Sequence, residues 1–183
     1  MLAKDSFILK KYNNKLKNQL SHTFNSGNLY LDNFIKSNEA LNPLNGKTYV
    51  FLDTNQSNLI AYFNIGTGSI GSTYSKPKDK IGGSVHLNCF ALDLQYQGLK
   101  LNKKLNIKLS DILLNKCVKK ILSIQKNHIG FAFITLCSTK QGYNLYKRHG
   151  FENIDTDMII PIEIGIEDGC QPMYLPLNYT NII

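Results

Sequence analysis

Runs of alternating and helically spaced apolar residues divide the chain into ten predicted elements. In order, they are helices over residues 7–23 and 29–40, strands over 48–52, 59–65 and 85–94, a helix over 99–125, a strand over 131–137, a helix over 140–149, and strands over 157–166 and 173–177. This order predicts an α/β fold, with a central mixed β-sheet and helices on both of its faces.

The pattern G-x-G-x-x-G occurs once, at residues 66–71, after a predicted strand. A dinucleotide-binding fingerprint also needs a helix directly after the glycines, within a βαβ unit. The polar residues 72–80 that follow are typical of a loop. We therefore predict that the whole segment 66–83 is a long polar loop, and that the motif is a flexible connection rather than a nucleotide site.

The chain has 183 residues, of which 43% are hydrophobic and 19% charged. This composition fits one domain over residues 1–183 with its own core. We expect no membrane contact, because no run of eighteen apolar residues occurs. The first residues become basic too early for a secretory signal, so a cytoplasmic protein is expected. The four cysteines show no C-x-x-C spacing, and we expect buried reduced thiols and no metal site.

The net charge of +8 favours anionic partners, such as a nucleic acid or a phosphorylated cofactor. Lysines are dense along the predicted helix that begins at Leu99, at positions 100, 103, 104, 108, 116, 119 and 120. Most such lysines form a solvated helix face. Those in the first turn oppose the helix dipole, and an anion bound at that end would relieve the conflict.

Two segments about fifty residues apart carry the candidate chemistry. In the first, residues 89–105, a strand passes through a tight turn at residues 97–102 into the predicted basic helix, where free backbone N–H groups would bind a phosphate. In the second, residues 142–151, a short helix presents Tyr146 and ends at Gly150. A phenol can act as a general acid, protonating a thiolate leaving group. For an isolated tyrosine, simple packing is the commoner role.

Together these residues resemble the GCN5-related N-acetyltransferases. Gln97 fits the first position of that family's Gln/Arg-x-x-Gly-x-Gly/Ala pattern, and residues 145–151 match its Leu/Phe-Tyr-x-x-x-Gly-Phe pattern in full. Three further stretches, at residues 24–34, 59–64 and 171–175, are similar to a bacterial subgroup of toxin-type acetyltransferases. The resemblance runs from about residue 24 to residue 177.

The resemblance implies acetyl-CoA as the acyl donor, no metal, and a sheet splayed at the cofactor cleft. It implies that the splayed strand near Ala91 and Leu92 hydrogen-bonds to the pantetheine arm, and that the following loop holds the pyrophosphate. The implied cofactor-binding residues are Ala91, Leu92, Gln97, Gly98, Leu99, Lys100, Leu101, Asn102 and Lys103. Tyr146 is the implied catalytic acid, and the amine attacks the thioester directly.

The chain departs from the family pattern at Lys100 and Asn102, which stand where glycines are usual. Their β-carbons would narrow the loop, whereas the Lys100 ammonium would add a charge for the phosphates. Four candidates for the general base stay open: Asp93, Glu39, His86 and a water molecule.

The leading function is therefore acetyl-CoA-dependent N-acetylation of a primary amine, on a small molecule or a protein. One alternative is acetylation of an aminoacyl-tRNA, as in toxin-type relatives, with a small antitoxin as partner. Another is a non-catalytic binding module of the same fold, whose cofactor loop has degenerated. A plain basic nucleic-acid-binding domain is the third alternative, although no zinc finger or RNP-type strand supports it.

Overall fold

The structure, a computed structural model, describes residues 7–72, 80–102, 106–160 and 169–177. Its elements are β1 (Phe7–Lys11), α1 (Asn14–Leu20), α2 (Leu29–Lys36), β2 (Lys47–Asp53), β3 (Leu59–Ser72), β4 (Lys80–Leu92), β5 (Lys100–Asn102), β6 (Ile107–Lys108), α3 (Leu109–Asn127), β7 (Phe133–Ser138), α4 (Tyr143–Arg148), β8 (Glu152–Asn153), β9 (Met158–Ile159) and β10 (Gln171–Pro176). None of the described helices is long and apolar enough to cross a membrane.

The chain divides into two compact units. Unit 1 comprises residues 1–65 and 89–118, and unit 2 comprises residues 66–88 and 119–183. Strands β3 and β4 and helix α3 contribute residues to both units.

Unit 1 contains strands in the order β1-β2-β3-β4, with β1–β2 and β2–β3 antiparallel. Helices α1 and α2 supply one side of its core, because their buried residues belong to the same cluster as β2, β3 and the end of β4. The Asn28 side chain accepts a hydrogen bond from the Leu31 N–H at 3.1 Å and so caps the start of α2. Tyr62 fills the centre, where its hydroxyl donates to the Leu31 carbonyl at 2.7 Å.

Unit 2 contains strands in the order β3-β4-β7-β10-β8, and β9 pairs with the end of β3. Strands β4 and β7 are parallel, whereas β10 is antiparallel to both β7 and β8. The predicted mixed sheet is therefore confirmed. Gly150, with φ of +83°, follows α4 in the left-handed conformation predicted for a helix stop.

Helix α3 begins ten residues later than predicted, at Leu109 instead of Leu99. Residues 100–102 and 107–108 form a small antiparallel hairpin, β5–β6, in which Lys100 lies opposite Lys108. The helix starts at Leu109 because the Asp111 carboxylate accepts a hydrogen bond from the Lys108 N–H at 3.1 Å, as an acidic residue in a capping box does. Consequently Lys100 and Lys108 lie on strands and not on a basic helix.

Two other segments, which the sequence predicted to be a helix and a loop, contain β-strands. Residues 7–11 are strand β1 and not helix, since Phe7 is buried against Phe51 at the sheet edge with ring centroids 5.9 Å apart. The predicted loop 66–83 is also wrong over 66–72 and 80–83, which belong to β3 and β4. Glycines permit this, because a Cβ at Gly68 would lie only 2.7 Å from the Ser84 hydroxyl oxygen.

Cys137 and Cys170 form a disulfide, which corrects the prediction that all four cysteines are reduced. Cys170 directly precedes β10, whose first residue pairs with Ser138, so its Cα lies 5.6 Å from that of Cys137. This separation is within the range that a disulfide requires. The sequence spacing of 33 residues gave no hint of it. Cys89 and Cys117 are buried and free, as predicted.

Candidate active site

The end of β4 extends beyond its parallel partner. The register of β4 and β7 covers four residue pairs, from Ser84↔Phe133 to Leu87↔Leu136, and β4 continues for five more residues to Leu92. The side chains of Ala91 and Leu92 are buried in unit 1. This is the strand end at which the family resemblance implies a contact with the cofactor arm.

Asp93 anchors the turn that follows β4. One carboxylate oxygen accepts the Asn25 N–H at 2.9 Å, and the other accepts the Gln95 N–H at 3.0 Å. The Asp93 N–H donates to the Ile60 carbonyl at 3.0 Å. Both oxygens of this buried carboxylate thus hold the loop in place, a role that suits Asp93 better than general base.

Gln97 braces the same loop through its side chain. Its amide nitrogen donates to the Leu92 carbonyl at 2.9 Å and to the Ser26 carbonyl at 2.8 Å. The side chain therefore ties the loop both to the end of β4 and to the segment before α2. Gly98 follows with φ of +69° and open space around it, so the backbone conformation alone demands a glycine there.

The segment predicted to bind pyrophosphate leads into the β5–β6 hairpin. Lys100 is exposed on β5. Before it, the Leu99 carbonyl accepts a hydrogen bond from the Leu109 N–H at 2.8 Å. Lysines that face each other across a two-stranded ribbon repel, unless an anion lies between them. Lys103 lies outside the described residues.

Tyr146 lies on α4 in unit 2 and is 8% exposed. Its ring packs edge-to-face on Phe151, with centroids 5.6 Å apart. Gly142 makes room for it, since a Cβ there would lie 3.1 Å from the Tyr146 ring. The Tyr146 carbonyl accepts the N–H groups of His149 and Phe151, at 2.9 and 3.1 Å, which closes the helix end.

A polar cluster, formed by the buried Ser84 and Thr135 and the half-buried His86, crosses the parallel pair β4–β7 in unit 2. The Thr135 hydroxyl lies 2.9 Å from His86 Nδ1 and 3.1 Å from the Ser84 hydroxyl. Burial lowers the pKa of His86 to about 4, so its imidazole is neutral at pH 7. In the sequence, His86 was only one of several candidate bases, and the alternation along β4 does not reveal its partner on β7.

The predicted site residues therefore fall into two groups. Unit 1 brings together the residues from Ala91 to Asn102, whereas Tyr146 belongs to unit 2 with the polar cluster. Glu39, another candidate base, is exposed at a 3-10 turn of unit 1. In the described part of the chain, no group of three His, Cys, Asp or Glu side chains could hold a metal ion.

No protein-family model matches the sequence, and no curated protein matches it. Solved structures do resemble the fold. AtaTR bound with AcCoA superimposes with a TM-score of 0.66 at 14% identity, covering 94% of this chain and 94% of that one. A tyrosine-to-phenylalanine mutant of KacT superimposes with a TM-score of 0.66 at 15% identity, covering 94% of this chain and 95% of that one. AtaT complexed with acetyl-methionyl-tRNAfMet superimposes with a TM-score of 0.64 at 14% identity, covering 93% of this chain and 94% of that one.

These similarities extend over nearly the whole chain at low sequence identity. They confirm the predicted fold class, a mixed β-sheet combined with helices. The chain has the fold of the toxin AtaT and of KacT.

Proposed function

We propose that this protein is an acetyl-CoA-dependent N-acetyltransferase that transfers an acetyl group to a primary amine. The observation that carries the proposal is the end of β4, where five residues continue past the last pair with β7. A strand end of this kind offers backbone N–H and C=O groups to an extended amide-containing arm. One structure of the same fold holds AcCoA.

The residues of unit 1 fit such a cofactor. Ala91 and Leu92 would hydrogen-bond the arm through their backbone, while Gln97 keeps the strand end and the loop in register. Lys100, exposed and facing Lys108, would meet the phosphates, together with the backbone from Gly98 to Lys103. Acetyl-CoA would supply a thioester as the acyl donor.

Tyr146 would donate its hydroxyl proton to the departing thiolate, as a general acid. Its ring packs against Phe151 and lies close to the backbone at Gly142, where there is no side chain. These neighbours limit the directions in which the hydroxyl can point. Structures of the same fold include tyrosine-to-phenylalanine mutants of both AtaT and KacT.

For the acceptor, we propose the amino group of an aminoacyl-tRNA. The charge of +8 suits a polyanion, and a solved structure shows AtaT complexed with acetyl-methionyl-tRNAfMet. AtaT is also known bound to the antitoxin AtaR, and KacTA bound to DNA, which suggests a small antitoxin as a partner of this chain. A free amine or a protein amino group is the competing acceptor.

Calorimetric titration with acetyl-CoA tests the proposal first. We expect micromolar binding, followed by acetyl transfer from radiolabelled acetyl-CoA to charged tRNA and not to uncharged tRNA. Transfer to small amines or peptides alone would keep the enzyme class and reject the tRNA acceptor. Absence of binding at millimolar acetyl-CoA would overturn the proposal and favour a non-catalytic module.

A further inference from the structure

The disulfide between Cys137 and Cys170 is less enclosed than the other two cysteines. Cys137 and Cys170 are half-buried, whereas Cys89 and Cys117 are buried. Thiol–disulfide exchange requires that an attacking thiolate reach one of the two bonded sulfur atoms. Among the four cysteines of the chain, this pair is therefore the one that an external thiol would reach in the folded protein.

The disulfide closes one end of the pair formed by β7 and β10. Cys137 is the last but one residue of β7, and Cys170 directly precedes β10. The first residue of β10, Gln171, lies opposite Ser138, the last residue of β7. The bond thus lies at the point where β7 leaves the sheet and the chain turns towards α4.

Ser138, the residue after Cys137, lies against the start of α4. A Cβ at Gly142 would be 3.4 Å from the Ser138 hydroxyl oxygen and 3.1 Å from the Tyr146 ring. The chain between them is a tight turn, because the Gly142 N–H donates to the Thr139 carbonyl at 3.1 Å. The backbone at Gly142 therefore lies close both to the end of β7 and to the phenol ring.

Strand β10 lies near the other end of α4. Gly150 follows the helix, and a Cβ there would be 3.5 Å from a methyl carbon of Leu175 on β10. The Phe151 N–H donates to the Tyr146 carbonyl at 3.1 Å, which connects this helix end to the residue that carries the phenol. The start of α4 is thus next to β7, and its end is next to β10.

Helix α4 has only six residues. A helix this short takes most of its stability from the elements that surround it. Reduction would remove the cross-link between those two strands beside the turn into α4, so local opening of the turn would become more frequent. The Tyr146 hydroxyl would then be held less closely in the direction that proton transfer needs.

We propose that the Cys137–Cys170 disulfide is a site of thiol–disulfide exchange that regulates acetyl transfer by holding the Tyr146 helix, with a dithiol as the reductant; this rests on the proposed function. A thiolate of the dithiol attacks one sulfur, the S–S bond breaks, and a mixed disulfide forms. The second thiol of the dithiol then breaks the mixed disulfide. Two electrons and two protons pass to the protein, which holds two thiols, and the reductant leaves as a disulfide. The oxidised protein is the faster enzyme.

Reduction of the wild-type protein with dithiothreitol, removed before the assay, tests the regulation directly. We expect kcat for acetyl transfer to charged tRNA, or to whichever amine the wild type acetylates, to fall roughly tenfold. The affinity for acetyl-CoA, whose proposed contacts are in unit 1, should be unchanged by calorimetry. Treatment of the reduced protein with oxidised glutathione should restore kcat.

Two variants show whether the effect of dithiothreitol passes through this bond. Cys170→Ser cannot form the bond, so it should have the kcat of the reduced wild type both before and after the same treatment. Cys117→Ala removes a buried free thiol and is the matched control, which should respond to dithiothreitol as the wild type does. A Cys170→Ser protein that still loses activity on reduction would overturn the proposal.

A second measurement needs neither turnover nor a variant. Amide hydrogen exchange of the oxidised and the reduced wild type should differ at the N–H groups of His149 and Phe151, which donate to the Tyr146 carbonyl. We expect these two amides to exchange faster after reduction, and the amides of α2 in unit 1 to exchange at the same rate in both forms. Equal exchange at the end of α4 in both forms would overturn the proposal.

The outcomes separate this inference from the proposed function. If the oxidised and reduced forms transfer acetyl groups equally fast, the disulfide is a structural cross-link only, while the acetyltransferase assignment stands. If neither form binds acetyl-CoA or transfers acetyl groups, the proposed function fails and the regulation of transfer fails with it.

Discussion

At the scale of single residues, two side chains of unit 2 occupy space that a neighbouring glycine leaves open. Gly142 leaves space for the Tyr146 ring, and Gly68 leaves space for the hydroxyl of Ser84. A glycine at such a position does not itself react, but any larger residue would displace the group beside it. Activity is therefore expected to depend on Gly142 as well as on Tyr146.

The substitution Tyr146→Phe keeps the ring contact with Phe151 and removes the hydroxyl. We expect kcat to fall ~100-fold or more, because the thiolate loses its proton donor, and the acetyl-CoA affinity to stay the same. Steady-state kinetics and calorimetry measure the two quantities. Tyr143→Phe, on the same helix, is the control and should behave like the wild type. Full activity of Tyr146→Phe would exclude it as the acid.

At the scale of elements, Lys100 in the β5–β6 hairpin affects both the stability of the hairpin and the proposed binding of phosphates. Lys100 and Lys108 oppose each other with like charges, which destabilises the hairpin. If phosphates bind there, they neutralise this repulsion.

We therefore expect Lys100→Glu to raise stability slightly, by pairing with Lys108, and to weaken acetyl-CoA binding roughly three- to tenfold. Calorimetry at low and high salt measures the affinity, and the difference should shrink as salt rises. Lys119→Glu, exposed on α3, carries the same change of charge and is the control. Equal affinities for the wild type and Lys100→Glu would place Lys100 away from the phosphates.

The disulfide between Cys137 and Cys170 ties the start of β10 to the end of β7, next to the segment that leads into α4. We expect Cys170→Ser to lower the free energy of unfolding by about 2–4 kcal/mol under oxidising conditions, since a closed loop restricts the unfolded chain. Thermal unfolding with and without reductant provides the measurement. With reductant present, the variant and the wild type should unfold alike; a difference that persists would implicate packing of the thiol instead.

Sequence patterns predicted the elements best where one face is apolar. Phe34 and Ile35 on α2 are buried, and along β4 the buried apolar residues include Val85, Leu87, Cys89 and Ala91, at alternate positions. The start of α3 was misplaced because leucines at 99, 101 and 105 extend its helical spacing backwards, and the capping contact of Asp111 with Lys108 was not recognised. The glycine-rich half of β3 was missed because glycine has no side chain that shows a burial pattern.

For the candidate site, the sequence predicted Tyr146 and the turn after β4 through motifs whose residues lie close together along the chain. It did not predict that Gln97 would brace Leu92, or that Thr135 would contact His86, because those contacts depend on folding. The roles assigned to the cofactor-binding residues remain predictions that the binding experiments test.

At the scale of the whole molecule, His86 links stability to pH. Its folded pKa of about 4 lies below the ordinary value of 6.5, so the unfolded chain binds more protons between these two pH values. The contribution of His86 to stability is thus fully present above pH 6.5 and is lost as the pH drops towards 4. A shift of this size corresponds to about 3 kcal/mol.

Urea unfolding of the wild type and of His86→Asn at pH 7.5 and pH 4 isolates this contribution. Because other titrating groups affect both proteins alike, the difference in unfolding free energy should move by about 3 kcal/mol in favour of His86→Asn at the lower pH. A difference that does not change with pH would mean that His86 titrates normally in the folded protein.

All four cysteines lie within the described residues, and their arrangement has a consequence for chemical labelling. Cys89 and Cys117 are buried at 3% and 0% exposure, and the other two thiols are joined to each other. A maleimide should therefore leave the folded, oxidised protein unmodified and add to Cys137 and Cys170 once a reductant has opened the bond. The mass of the protein after brief labelling of cell extracts would then report which form exists in the cell.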